Sequence, residues 1–298
     1  MEEQEARGEA SQIFKSISTE SSSSSESGGS KIFADRRWLQ PTSEPPTPFP
    51  NGREVYVSTL NNLLAPAPSG DAGKNVYAVG PPGTGKTLTI RYVLDTLKEH
   101  VKGTGISVHV AYVNAGRTRS PYFTLLEIVR SLGLNVPSSG WQFSRLKEEF
   151  EKQRGGKACI IAIDEADTLL LKVREPLLYY LNRQENITLI LITNRWDDLT
   201  ALPARARSTL QAAPLIFQPY TAPEAVRILK ERAQLAFKVG VADDQALDYA
   251  AALVAEAHDI RVGFNLLLTA GILAESQGRV KVDLVDLKRA ERAIRPTL

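Results

Sequence analysis

The sequence predicts an α/β protein: a doubly wound parallel sheet followed by a small all-helical domain. Three observations predict it. From Asn75 onward, short apolar segments alternate with segments whose apolar residues recur at helical spacing. The segment 159–163 is apolar at every position, as expected of a strand buried on both faces of a parallel sheet. After Pro219 the strands stop, and only segments with helical periodicity follow.

Each element follows in chain order. Residues 1–30 contain an uninterrupted serine run, Ser21 to Ser25, and then Ser27-Gly28-Gly29-Ser30. Such a composition cannot bury enough apolar surface to offset the entropy of ordering, so a disordered tail is predicted. The stretch 41–50 holds five prolines, Pro41, Pro45, Pro46, Pro48 and Pro50, and is predicted to run extended. Residues 75–79 read as a strand. In 86–101, Ile90, Val93, Leu94, Leu97 and Val101 recur at helical spacing. Residues 106–113 form a β-branched strand, 122–132 and 141–153 helices, and 159–163 the fully apolar strand. A helix over 174–182, a strand over 187–193 and a short strand over 215–217 complete the sheet. Helices are predicted at 223–238, 243–257, 260–277 and 283–295, with Asp243 as an N-cap. The expected organisation is a tail at 1–30, an α/β domain at 31–218 and a helical domain at 219–298.

Composition sets limits on function. Of 298 residues, 43% are apolar, which supports a sizeable core. The net charge of +2 conceals an asymmetry. Residues 1–30 carry six acids and two bases, a net of −4, so the remaining 34 bases and 28 acids leave the body at +6. A mildly basic body is compatible with nucleic acid without requiring it. The single cysteine, Cys159, excludes a disulfide framework and a multi-cysteine metal site, and reads as a small buried hydrophobe. His100, His109 and His258 share no metal-ligand spacing. No apolar run is long enough to span a membrane, and the first 30 residues lack a signal-peptide core, so a cytoplasmic, nucleoid-associated protein is expected.

The chemistry-bearing motifs lie at the ends of predicted strands. Gly80-Pro81-Pro82-Gly83-Thr84-Gly85-Lys86-Thr87 fits G-x-x-x-x-G-K-[ST], after a strand and at the opening of a helix. The glycines let backbone N–H groups cradle phosphates, and the helix N-terminus, at Thr87 and Leu88, adds positive potential. Lys86 reaches the β- and γ-phosphates of ATP, and the Thr87 hydroxyl ligates Mg²⁺. The strand 159–163 runs into Asp164 and Glu165. Asp164 is the candidate for holding the metal through water, and Glu165 for activating an attacking water. Asn194 follows another apolar strand and is a candidate for touching the γ-phosphate or that water. Arg205, Arg207 and Arg261 are candidates for an arginine that stabilises charge on the transferred phosphoryl group, and spacing does not choose between Arg205 and Arg207.

These motifs, in this order and with a helical second domain, resemble the AAA+ ATPases. More narrowly, residues 31–296 resemble the archaeal replication initiators related to origin-recognition-complex subunit one and cell-division-cycle protein six. Ile32-Phe33-Ala34-Asp35-Arg36 and the stretch to Arg53-Glu54 are similar to that family's N-terminal segment near the adenine. Asn114-Ala115-Gly116-Arg117-Thr118-Arg119-Ser120-Pro121-Tyr122 resembles its strand-to-helix segment, where the family carries an extra DNA-touching helical element. Phe217-Gln218-Pro219-Tyr220 resembles the junction to its lid, and Asp259-Ile260-Arg261 with Asn265-Leu266-Leu267-Leu268 its second-sensor motif. The resemblance implies Tyr220 and Arg261 as nucleotide contacts. It implies Arg205 as the finger arginine, acting on the ATP of a second copy or a related initiator. The sequence departs from the family in having Asn51-Gly52-Arg53-Glu54 for the usual His-Arg-Glu, and Ala204-Arg205-Ala206-Arg207 at the finger.

The resemblance implies a slowly hydrolysing ATP switch of DNA replication initiation. Contacts to double-stranded DNA are expected from 117–145, with Arg117, Arg119, Arg130 and Arg145 as phosphate partners. The family continues into a winged-helix domain where this sequence stops, at Leu298, which is expected to mean either a truncated chain or a short paralogue. Two rivals remain. One is a regulatory paralogue that pairs with a full-length initiator without binding DNA. The other is a P-loop ATPase of another DNA transaction, such as a transposition helper or a clamp-loader-like subunit.

Overall fold

The computed structural model describes residues 30–41, 43, 49–133, 136–137, 140–170, 176–197 and 204–294. Apart from Ser30, the expected tail lies outside the described residues, as does most of the proline stretch. By its contacts the chain divides into two units, Gly52–Gln218 and a second built from the residues up to Asn51 together with Pro219 onward.

The first unit contains α1 (Glu54–Leu64), β1 (Val76–Val79), α2 (Lys86–Val101), β2 (Val108–Asn114), the single turn α3 (Ala115–Thr118) and α4 (Pro121–Ser131). It continues through α5 (Phe143–Arg154), β3 (Ala158–Asp164), the short α6 (Asp167–Leu170) and α7 (Pro176–Leu181), β4 (Ile187–Thr193), α8 (Ala204–Leu210) and β5 (Ala213–Ile216). The five strands form one parallel sheet in the order β2-β3-β4-β1-β5. Every residue of β3 and β4 is buried, which explains why their sequences run apolar without alternation. Alternate strand residues feed two cores. Tyr77, Val113, Ile161 and Leu189 pack with Leu125 and Ile128 of α4 and Phe150 of α5. Val76, Ala78, Ile160 and Ile190 pack with Leu60 of α1 and Ile90 and Leu94 of α2. Asn75, just before β1, ties the sheet together: its Oδ1 accepts from the Leu189 N–H at 2.7 Å and its Nδ2 donates to the Leu210 carbonyl at 2.8 Å. Helices α1, α3, α6 and α8 are elements that periodicity did not predict.

The second unit packs α9 (Ala222–Ala236), α10 (Asp244–Ala257), α11 (Ile260–Ser276) and α12 (Leu284–Ile294). Asp243 caps α10 as expected, accepting from the Ala246 N–H at 2.6 Å. Sequence order assigns residues 31–51 to the α/β domain, whereas by contacts this segment groups with the helical unit. Its apolar side chains decide this: Ile32, Phe33 and Leu39 are buried in the helical core. Phe33 bridges to Phe237, their rings 5.2 Å apart, and the Lys238 N–H donates to the Ile32 carbonyl at 2.9 Å. Among the described residues, no helix is long and apolar enough to cross a membrane.

Candidate nucleotide site

In the sheet, β4 lies between β3 and β1. The segments leaving the carboxyl ends of these three strands therefore lie side by side, and each carries a part of the predicted site. The loop Gly80–Gly85 leaves β1 and leads into α2. Gly83 and Gly85 have φ values of 71° and 80°, a left-handed backbone that glycine adopts without steric cost. The Thr84 hydroxyl closes the loop by donating to the Pro81 carbonyl at 2.8 Å.

Lys86 is buried, and its Nζ donates to the carbonyls of Gly80 at 2.7 Å and Pro81 at 2.8 Å and to Asn194 Oδ1 at 3.1 Å. The tip of β4 is thereby joined to the loop. A further guanidinium supports the loop from behind. Arg53, only 2% exposed, donates to the carbonyls of Thr84 at 2.9 Å, Gly52 at 2.7 Å and Gln218 at 2.8 Å. Its guanidinium also lies over the Tyr56 ring, which stacks on Phe217.

Asp164, at the end of β3, accepts three hydrogen bonds. Its Oδ2 accepts from the Thr87 hydroxyl and the Tyr112 hydroxyl, each at 2.7 Å, and its Oδ1 from the Glu165 N–H at 2.8 Å. Burial and the neighbouring Asp164 charge push the Tyr112 phenol well above its usual range, so it stays a donor. Glu165 has φ 49°, and its Oε1 accepts from Asn114 Nδ2 at 3.1 Å. Asn114 pairs with Asp164 in the β2–β3 register, which brings the two strand tips level. A Cβ on Gly116 would lie 1.8 Å from Glu165 Oε2, so the Glu165 carboxylate occupies space that only glycine leaves open. Tyr112 and the space at Gly116 had no signal in the phosphate motifs, and Arg53 entered only through the resemblance of its segment. Register and tertiary approach reveal them, not spacing along the chain.

Within the site, Pro81 and Pro82 are exposed on the loop, and Leu88 is half-buried in the first turn of α2. The remaining predicted residues lie elsewhere. Tyr220 belongs to the helical unit, where its ring is buried in the core. Arg261 opens α11, and its Nε donates to both carboxylate oxygens of the N-cap Asp259, at 2.9 and 3.0 Å. This bond raises the Arg261 pKa above its ordinary value. Arg205 lies in α8, its side chain outside the described residues, while Arg207 in the same helix is exposed. Arg117 and Arg119 are exposed in and after α3, and Arg119 Nε donates to the Gly116 carbonyl at 3.2 Å. Arg130 is committed internally, to the Val136 carbonyl at 2.9 Å and to Glu127 at 3.1 Å. Arg145 lies over the Trp141 ring at 4.1 Å.

The donor set fits a nucleoside triphosphate and Mg²⁺. The left-handed glycines give the loop room to turn N–H groups toward phosphate, and Lys86 stands at its base. A hydroxyl beside a carboxylate, Thr87 and Asp164, supplies the hard oxygen donors that Mg²⁺ prefers.

Comparison with known proteins gives consistent findings. The AAA domain family model matches residues 71–197, and the Cdc6 AAA+ ATPase-type lid domain model matches residues 226–292. The chain is similar to the ORC1-type DNA replication protein of Desulfurococcus amylolyticus, with 34% identity over 88% of this chain and 68% of that one. It is similar to ORC1-type DNA replication protein 1 of Aeropyrum pernix, with 35% identity over 88% of this chain and 69% of that one. The solved structure of the Aeropyrum pernix ORC1 protein in complex with DNA is similar at a TM-score of 0.78 and 34% identity, covering 90% of this chain and 71% of that one. The chain thus spans about two thirds of the length of the curated relatives it matches.

Proposed function

Because this chain belongs to the ORC1-type DNA replication protein family of AAA+ ATPases, we propose that it is an ATP-dependent switch of replication initiation, binding ATP and Mg²⁺ at the loop after β1. The observation that supports this most is the meeting of Lys86, Thr87, Asp164, Glu165 and Asn194 at one edge of the sheet.

In this reading Lys86 and the loop N–H groups hold the β- and γ-phosphates. Thr87 and Asp164 hold the metal, which supplies charge neutralisation on the phosphoryl oxygens. Glu165 takes a proton from the attacking water, and Asn194 orients that water or the γ-phosphate. Hydrolysis is slow in this reading because Glu165 is restrained: its Oε1 accepts from Asn114 Nδ2 at 3.1 Å. Arg261 from the lid and Arg205 from a neighbouring subunit add positive charge at the γ-phosphate, with Arg207 the other candidate on the same helix. Arg117 and Arg119 face DNA phosphates, and Arg145 with them.

A second reading is favoured by one observation. Arg130 is taken up within the fold and Arg145 stacks on Trp141, which leaves fewer guanidinium groups for DNA. It makes the chain a regulatory partner of a longer initiator, without DNA contact of its own. The deciding experiment measures binding of a fluorescent ATP analogue and then duplex DNA binding across a salt series. The first reading expects Mg²⁺-dependent nucleotide binding that Lys86→Ala abolishes. It also expects a salt slope of about −0.9 per phosphate contacted. Intact ATP binding with no duplex affinity selects the second reading, and no ATP binding at all removes both.

A further inference from the structure

Of the two hydroxyls on Asp164 Oδ2, the nucleotide motif accounts only for Thr87. Tyr112 stands on β2, opposite Ala162 and two positions before Asn114, so Tyr112, Asn114 and Asp164 all lie on one face of the sheet. A phenol is long enough to reach the diagonal neighbour on the adjacent strand, and its hydroxyl meets Asp164 Oδ2 at 2.7 Å. The ring is held in turn, with the Arg91 guanidinium 5.5 Å from its centroid. Asp164 itself is 6% exposed, so little water is available to replace a lost donor.

We propose that Tyr112 is a positioning residue for the metal-holding carboxylate: its hydroxyl fixes the orientation of Asp164 and so sets the Mg²⁺ concentration at which nucleotide is held. The inference rests on the reading of this loop as an ATP–Mg²⁺ site. Its physical basis is a division of labour. Thr87 must serve both the metal and Asp164, whereas Tyr112 serves Asp164 alone and holds it whatever Thr87 does. Groups that orient a metal-holding carboxylate from behind influence metal affinity strongly when removed.

The test is Tyr112→Phe in the full chain, which keeps the ring and its contact with Arg91 and removes only the hydroxyl. Thermal melting confirms that the variant is folded. Binding of a fluorescent ATP analogue is measured first in EDTA and then during a MgCl₂ titration. The affinity in EDTA is expected to stay within about twofold, while the MgCl₂ midpoint rises on the order of 10-fold. In an Asp164→Asn background, Tyr112→Phe is expected to add no further rise. An unchanged midpoint in Tyr112→Phe overturns the proposal. So does an equal rise in the Asp164→Asn background, because the hydroxyl would then act without Asp164. If the unaltered chain gains no affinity from Mg²⁺, the ATP–Mg²⁺ reading falls first and this inference falls with it.

Discussion

Asn114 Nδ2 donates to Glu165 Oε1 at 3.1 Å, so the carboxylate proposed to activate water has one oxygen engaged by the neighbouring strand. Asn114 does this while its own Oδ1 caps α3, accepting from the Arg117 N–H at 3.0 Å. The amide is therefore held at both ends, and the β2 tip is tied to the Glu165 carboxylate.

Releasing that bond should speed hydrolysis. Asn114→Ala frees Glu165 and is expected to raise basal ATP turnover about 5-fold, the equivalent of roughly 1 kcal/mol for one hydrogen bond. Loss of the α3 cap should lower stability by about 1 kcal/mol in the same variant. Single-turnover kinetics and denaturant unfolding measure the two effects separately. A turnover equal to or below that of the unaltered chain would show that Asn114 does not restrain Glu165.

Gly116→Ala should act in the opposite direction. Its Cβ would stand 1.8 Å from Glu165 Oε2, so the carboxylate must leave its place. A displacement of this order costs about 10²-fold in a positioned reaction. The expected result is a fall in kcat with nucleotide affinity unchanged, measured by turnover and by equilibrium binding.

Glu165→Gln keeps the shape of the side chain and removes the base. It should bind ATP as the unaltered chain does and lose hydrolysis. Normal turnover in this variant would withdraw the assignment of Glu165.

Arg53→Met should weaken both the fold and the loop. The guanidinium satisfies the carbonyls of Thr84, Gly52 and Gln218, and an apolar replacement leaves them without it. The expected loss is about 3 kcal/mol of stability, together with poorer nucleotide binding, because the Thr84 carbonyl belongs to the phosphate loop. Urea unfolding and nucleotide titration report the two losses.

Cys159 should be silent to alkylation in the native state. It is 1% exposed in β3, and burial pushes its thiol up to about 12. At pH 8 the folded chain therefore presents neither access nor thiolate, and labelling should follow global unfolding. The folded state holds this proton more tightly than the unfolded state. The associated stability is complete below about pH 8.5 and is lost as pH rises toward 12. Rapid native-state labelling would contradict this.

Much of this was legible along the chain because it depends on local pattern. The helix after the phosphate loop was predicted at 86–101 and is Lys86–Val101, and the strand predicted at 187–193 is Ile187–Thr193. Both have unambiguous signals, a glycine loop ahead of helical spacing and an unbroken apolar run. Helix α1 (Glu54–Leu64) and the turn α3 (Ala115–Thr118) were not foreseen. The first follows a stretch dominated by proline, and the second is a single turn, too short to show a period. Sequence order puts the segment 31–51 next to the α/β domain, but Ile32, Phe33 and Leu39 fill the helical core.

By itself the sequence determined the alternation of strands and the main helices, and it singled out candidates in the segments that follow β1, β3 and β4: Lys86 and Thr87, Asp164 and Glu165, and Asn194. The first four lie in motifs contiguous in the chain, and Asn194 is marked by its place after an apolar strand, so no knowledge of the sheet order is needed to find them. Only the tertiary structure decided which side chains stand behind them. Tyr112 reaches Asp164, Asn114 reaches Glu165 and Arg53 reaches Thr84 across sequence separations of 52, 51 and 31 residues. Such partners arise from strand register and close packing, which bring together residues that no local periodicity relates.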